Sequence, residues 1–194
     1  MSKTKTQTQD KRSRKFIFIP FCVLCQAFQA QGIVRYDFSS VMTDIIEEIM
    51  KHDLNIIQMP CPESKLGGYK NGLQRLPQSI KKYDTPEFRE ICMNCASEVM
   101  EQIKAILENG YEIAGILGIE NSPSCSIKLQ YSNNGAYRQP GIFIEELKKQ
   151  LERDGIEIPL LGINRRGVEI TLVRLKQMLD TDQVSVQQKN LNEF

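Results

Sequence analysis

Histidine is nearly missing from this chain, with His52 the only one in 194 residues. That scarcity removes most imidazole-based zinc sites and leaves a single candidate for a serine or cysteine hydrolase triad. His52 falls at the polar end of an expected helix, where an exposed helix-terminal role is the plainer reading. Long apolar runs are missing as well. No stretch approaches the roughly 18 residues needed to span a bilayer, and the N-terminal MSKTKTQTQDKRSRK lacks the apolar centre of a secretory signal. The expectation is a disordered basic tail, residues 1–14, on a cytoplasmic protein. Neither charge is in excess: 25 Lys and Arg face 24 Asp and Glu, so no overall field draws the chain to nucleic acid or to a membrane surface.

What is present is a repeated pattern. FIFIPFC (16–22), NIIQMPCPE (55–63) and IENSPSC (119–125) each carry an apolar run to a proline and a thiol. Near-continuous apolar runs at Lys15–Cys22, Leu54–Met59, Ile113–Ile119 and Ile158–Ile163 suggest strands covered on both faces, as in a parallel sheet. Amphipathic helices fall between them. Ser40 is the expected cap of one bearing Val41, Ile45 and Ile49. Thr85-Pro86-Glu87 opens a second that runs to Asn109 and Gly110, Ile144, Leu147 and Leu151 line a third that stops at Gly155, and Val168, Leu172, Leu175 and Leu179 line a fourth. Alternation of this kind gives right-handed crossovers and the fold class: α/β, a three-layer Rossmann-like open sheet, mostly parallel, in a single domain over residues 15–180, followed by a polar C-terminal tail, 181–194.

Ligands of such sheets bind beyond the carboxyl ends of the strands. Cys22, Cys61 and Cys125 each fall at that end of a different strand, so the topology alone can bring them together. Two long connections, Pro62–Asp84 with Gly67-Gly68 and Ser126–Pro140 with Asn133-Asn134-Gly135, leave the same edge as natural lids.

Six cysteines in a cytosolic chain do not suggest a disulfide framework. Three soft thiolates without histidine suit an iron-sulfur cluster with one open iron; the bland alternative is three small buried hydrophobes. A competing pattern pairs Cys22-x-x-Cys25 with Cys92-x-x-Cys95 at the spacing of a structural zinc site. Its second pair shares a helical face with Phe88, Val99, Ile103 and Ile106 and reads as core filler. Cys25 remains an alternative to Cys22, a fourth ligand or a nearby acid. Gly67-Gly68-x-x-x-Gly72 with Arg75 suggests a backbone cradle for an anion, without the Gly-Lys-Ser/Thr ending of a P-loop. Glu63 is a carboxylate at the thiol edge suited to shuttling a proton, or a solvated loop residue. Ser122 and Ser124 are hydrogen-bond donors to a ligand, or shapers of the turn at Pro123. Asp37 of Arg35-Tyr36-Asp37 is an expected capping or turn residue.

Taken in order, Cys22-Val23-Leu24, Arg35-Tyr36-Asp37, Cys61-Pro62-Glu63 with Gly67-Gly68, and Ser122-Pro123-Ser124-Cys125 resemble the motifs of the thiouracil desulfidase family, over about residues 15–165. The resemblance implies a [4Fe-4S] cluster held by Cys22, Cys61 and Cys125, with the fourth iron free to take the sulfur of a small thiolated compound before hydrolysis. It assigns Glu63, Ser122 and Ser124 to the chemistry and Arg35, Asp37, Gly67 and Gly68 to the substrate. Three departures mark an outlying branch: Cys25 and Ser126 stand where that family has glycine, and the CPE-to-GG segment is one residue longer. Two other readings stay open: a redox-sensing metal module with Cys25 as fourth ligand, and a metal-free nucleotide-binding domain.

Overall fold

The computed structural model describes residues 10–34, 40–132 and 135–191, with side chains as far as residue 180. The chain enters through β1 (Lys15–Pro20) and α1 (Phe21–Leu24), followed by a 3-10 turn at Gln26–Phe28. Then come α2 (Thr43–Lys51), β2 (Asn55–Met59), α3 (Pro62–Gln74), α4 (Ile80–Tyr83), α5 (Pro86–Glu108) and β3 (Glu112–Ile119). A small hairpin, β4 (Leu129–Ser132) and β5 (Gly135–Arg138), precedes α6 (Ile142–Arg153), β6 (Leu160–Ile163) and α7 (Val168–Leu191). The four apolar runs are the four strands of one sheet, ordered β2-β1-β3-β6 and parallel throughout. The hairpin is a separate antiparallel pair.

Side chains alternate across a strand, so each apolar run feeds two cores. Phe18 and Ile116 face α5 and α6, with Phe88, Val99, Ile103, Phe143 and Leu147. Ile17, Ile19 and Leu117 face α2 and α7, with Ile45, Ile49, Leu175 and Leu179. The result is the three layers expected from the sequence. Phe18, Ile17 and Ile19 have no exposed surface; each such side chain contributes about 1.5–3 kcal/mol through removal from water.

Helix ends follow local chemistry in most places. Thr85 caps α5, its Oγ1 accepting from Phe88 N at 3.2 Å, and Pro86 takes the first helical position, where no N–H is required. Gly110 and Gly155, with φ of 68° and 65°, follow α5 and α6 as expected. The first helix departs from expectation: α2 begins at Thr43, with Met42 and not Ser40 at its cap position. Met42 is buried beneath the helix, its N–H bonded to Val23 O at 2.9 Å, and that contact sets the entry. His52 is also not the exposed terminal residue expected. Its side chain is 10% exposed, its Nδ1 lies 2.9 Å from Glu48 O and its Nε2 3.1 Å from Asp180 Oδ1 on α7, because α2 and α7 pack on the same sheet face. Helix α7 runs on to Leu191, through much of the 181–194 segment expected as a polar tail.

The connections expected as lids carry structure of their own. Pro62–Asp84 holds α3 and α4, and Gly67-Gly68 lies inside α3, which breaks at Gly68 (φ 70°, ψ 165°). That conformation is open essentially to glycine alone, so the pair bends a helix and forms no free phosphate loop.

Candidate active site

In the strand order β2-β1-β3-β6, the chain passes from β1 to a neighbour on one side and then crosses to a neighbour on the other, and the crevice opens where the connections part. The three cysteines stand there. Cys22 lies in α1 directly after β1. Cys61 precedes α3, its carbonyl accepting from Ser64 N and Lys65 N, both at 3.1 Å, and Pro62 starts the helix where an N–H is dispensable. Cys125 closes the turn after β3. In that turn Ser122 Oγ accepts from Ser124 N (3.3 Å) and Cys125 N (3.0 Å), while Cys125 O accepts from Ile119 N at 3.0 Å, folding the thiol back onto the strand end. Gly118 makes the fold-back possible: a Cβ there would collide with the Cys125 carbonyl and the Ile127 side chain.

Cys22, Cys61 and Cys125 all line one cavity of about 350 Å³, with Glu63, Ser122 and Ser124 on its wall. Each thiol is raised above its ordinary pKa, first by burial. Cys22, pushed up to about 12, then feels Cys61 and Glu63; Cys125 feels Cys61 and Cys22; Cys61 feels Glu63. Cys95 of the core feels Cys61 as well, so it is the cavity lining that sets Cys22, Cys61 and Cys125 apart. Among the described residues no group of three or more His, Cys, Asp or Glu is set to hold a metal ion. Soft, sulfur-only donors suit zinc, copper(I) or iron with sulfide.

The Cys-x-x-Cys pairs do not combine. Cys92 and Cys95 are 0% and 1% exposed in the core beside Phe88 and Val99, where small apolar side chains fill the space between helices. Cys25 ends α1 and does not line the cavity.

Glu63 is the best-held group of the site. Its Oε1 accepts from Ser124 Oγ at 2.6 Å and Ser122 Oγ at 3.2 Å, and its Oε2 accepts from Arg75 Nε at 3.0 Å. Glu63 and Arg75 are 9% and 12% exposed, a buried ion pair. Arg75 also donates to Gly72 O (3.0 Å) and Phe28 O, tying α3 to the turn after α1. Tyr83 faces the same carboxylate, and its phenol is pushed up to about 12 by burial and then by the charge of Glu63. Ser124 Oγ lies 3.4 Å from Cys125 Sγ, so one hydroxyl links carboxylate and thiol.

Of the residues assigned to the substrate, Gly67 and Gly68 do not line the cavity, since both are taken up in α3. Arg35 and Asp37 lie outside the described residues. The lining instead includes Arg165, Gln130, Tyr131 and Tyr137, which the sequence did not single out. Arg165 follows β6 at the same edge as the cysteines, so the strand-end rule alone points to it. Its Nη1 donates to Gln29 Oε1 at 3.1 Å, and burial lowers its pKa while Cys22 and Glu63 act to raise it. Ser126, a departure from the resembled family, anchors the hairpin, since its Oγ donates to the buried Glu120 carboxylate at 2.7 Å and accepts from Leu129 N at 3.1 Å.

No protein-family model matches the chain. It is 26% identical over 147 residues to an uncharacterized protein, MJ0003, of Methanocaldococcus jannaschii, covering 76% of this chain and 84% of that one. It is similar to the solved structure of a [4Fe-4S]-dependent thiouracil desulfidase, TudS, over 84% of this chain and 99% of the other, at 19% identity and a TM-score of 0.43. No described helix is long and apolar enough to cross a membrane.

Proposed function

We propose that this chain belongs with the thiouracil desulfidases and removes sulfur from a small thiolated compound, using a [4Fe-4S] cluster held by Cys22, Cys61 and Cys125. The observation that carries the reading is the meeting of three thiols from three strand ends in one cavity, against the Glu63–Ser124 pair. The ordered motifs in the sequence support it from a separate direction. A cluster on three protein ligands would supply a Lewis-acidic iron with an open position, suited to a soft sulfur.

The chain's own residues account for the rest of the reaction, in which a thiocarbonyl and water give a carbonyl and hydrogen sulfide. Glu63 is placed to accept a proton from the attacking water at Oε1 and return it to the departing sulfur. Arg75 holds Oε2, and the two serines of the cavity wall hold Oε1. Ser122 and Ser124 orient Oε1 and can pass a proton along their 3.2 Å contact. Tyr131 and Tyr137, from the hairpin, lie at the cavity's solvent side, each still partly exposed.

Anaerobic purification with iron and acid-labile sulfide assays tests the reading. A brown protein with about four of each per chain is expected; a colourless protein with stoichiometric zinc would end the proposal. Cys22→Ser, Cys61→Ser and Cys125→Ser should each lose the cluster, whereas Cys25→Ser keeps it, because Cys25 is not on the cavity wall. Loss of the cluster in Cys25→Ser would favour the four-ligand sensor. Glu63→Gln is expected to retain iron while turnover of thiouracil falls by about 10²–10⁴, the usual worth of a positioned acid-base group.

A further inference from the structure

We propose that Gln130 is a specificity-determining residue, whose Oε1 accepts a hydrogen bond from a ring N–H of the ligand, so that the cavity selects thiolactams with a free nitrogen-bound hydrogen. The inference rests on the desulfidase reading and names the substrate class of that same site.

Four side-chain amides line the cavity. Gln78 and Asn121 are exposed to solvent, and Asn121 Oδ1 is already taken by Tyr131 N at 2.9 Å. Gln29 is buried, with both ends in use: its Nε2 donates to Gln26 Oε1 at 2.9 Å and its Oε1 accepts from Arg165. Gln130 differs from all three. It is 3% exposed, and its Nε2 donates to Ser122 O at 2.8 Å, inside the turn that carries Cys125. That bond fixes the amide, because the flipped form would set oxygen against oxygen. Among the described residues Oε1 then has no hydrogen-bond partner, yet it is not one of the polar atoms sealed away from all solvent space. Gln130 lines the cavity, which is therefore the space within its reach.

A buried acceptor of this kind is costly when left empty and selective when filled. A ligand that offers N–H gains the bond, and one that offers N–CH₃ leaves the oxygen desolvated and unpaired. Tyr137 stands directly across the hairpin from Gln130 and also lines the cavity, so a flat face lies beside the acceptor. Residues opposite each other in an antiparallel pair project to the same side. A planar ring with a thiocarbonyl and an adjacent N–H matches both features. The cavity, about 350 Å³, has room for one such ring and its substituents.

The experiment measures dissociation constants of 2-thiouracil and its N1-methyl and N3-methyl derivatives with anaerobically purified, iron-loaded protein. Wild type is expected to bind 2-thiouracil on the order of 10- to 100-fold more tightly than one of the two methylated rings. Gln130→Met, similar in size but without the acceptor, should bind that pair alike; Gln130→Leu serves if the Met variant does not fold. Equal binding of all three rings by wild type overturns the proposal without any variant. A wild-type preference that survives in the variant overturns it too, placing the discrimination elsewhere. No measurable binding of any ring to iron-loaded wild type removes the desulfidase reading and this inference together.

Discussion

Arg75 shows how much one side chain can hold. It neutralises Glu63 in a site where both are nearly buried and bridges two segments through the Phe28 and Gly72 carbonyls. Removing one member of a buried pair leaves the other charge without a partner, which costs about 3–5 kcal/mol. Arg75→Met should therefore lower the free energy of unfolding by that order in urea titrations, while Arg75→Lys recovers only part, since an ammonium cannot reproduce the forked geometry. A change under about 1 kcal/mol would mean that solvent reaches Glu63 and relieves it. The sequence places Glu63 beside Cys61, because two residues at the start of a helix fix that relation. It links Arg75 only to a glycine loop, because its true partner is 12 residues away across a helix bend that Gly68 creates.

At the scale of elements, α2 and α7 meet at His52. Burial opposes a charge on the ring, but the Glu48 carbonyl, Asp180 and the Glu48 carboxylate together outweigh it and raise the pKa above 6.5. Glu48 Oε1 is buried without a hydrogen bond and lies 3.9 Å from His52 Nδ1, so a cationic ring offsets its charge; Lys51 serves the other oxygen at 3.1 Å. A raised folded-state value means that the protonated ring favours the folded chain. The contribution is complete below the unfolded value and is lost as pH rises through the folded one. Urea midpoints should therefore decline as pH is raised from below 6.5 into the range above it, with the decline reduced in His52→Gln. Equal slopes for the two proteins would show that His52 does not carry the dependence. Element identity was legible in the sequence wherever period and caps agreed, as at Thr85-Pro86 and Gly110. It was not legible in Pro62–Asp84, whose glycines read as loop while neighbouring residues still complete helical turns.

For the whole molecule, the three cysteines are 39 and 64 positions apart in sequence and meet only when β1, β2 and β3 are assembled in order. A group that binds all three stabilises the folded chain and not the unfolded one. Iron-loaded protein should thus melt higher than protein treated with a strong iron chelator, by about 4 °C or more, since each kcal/mol is worth about 2–4 °C at this chain length. Identical melting curves would separate the thiols from any bound core. The sequence by itself determined the layering and the edge on which chemistry gathers, because apolar periodicity is a local property and parallel strands place their carboxyl ends together. Only the tertiary structure decided which polar groups share the cavity: that Arg75 faces Glu63, that Arg165 and the hairpin tyrosines line it, and that Gln130 keeps an acceptor open. Those meetings depend on loop paths and helix bends between distant segments, and no spacing along the chain encodes them.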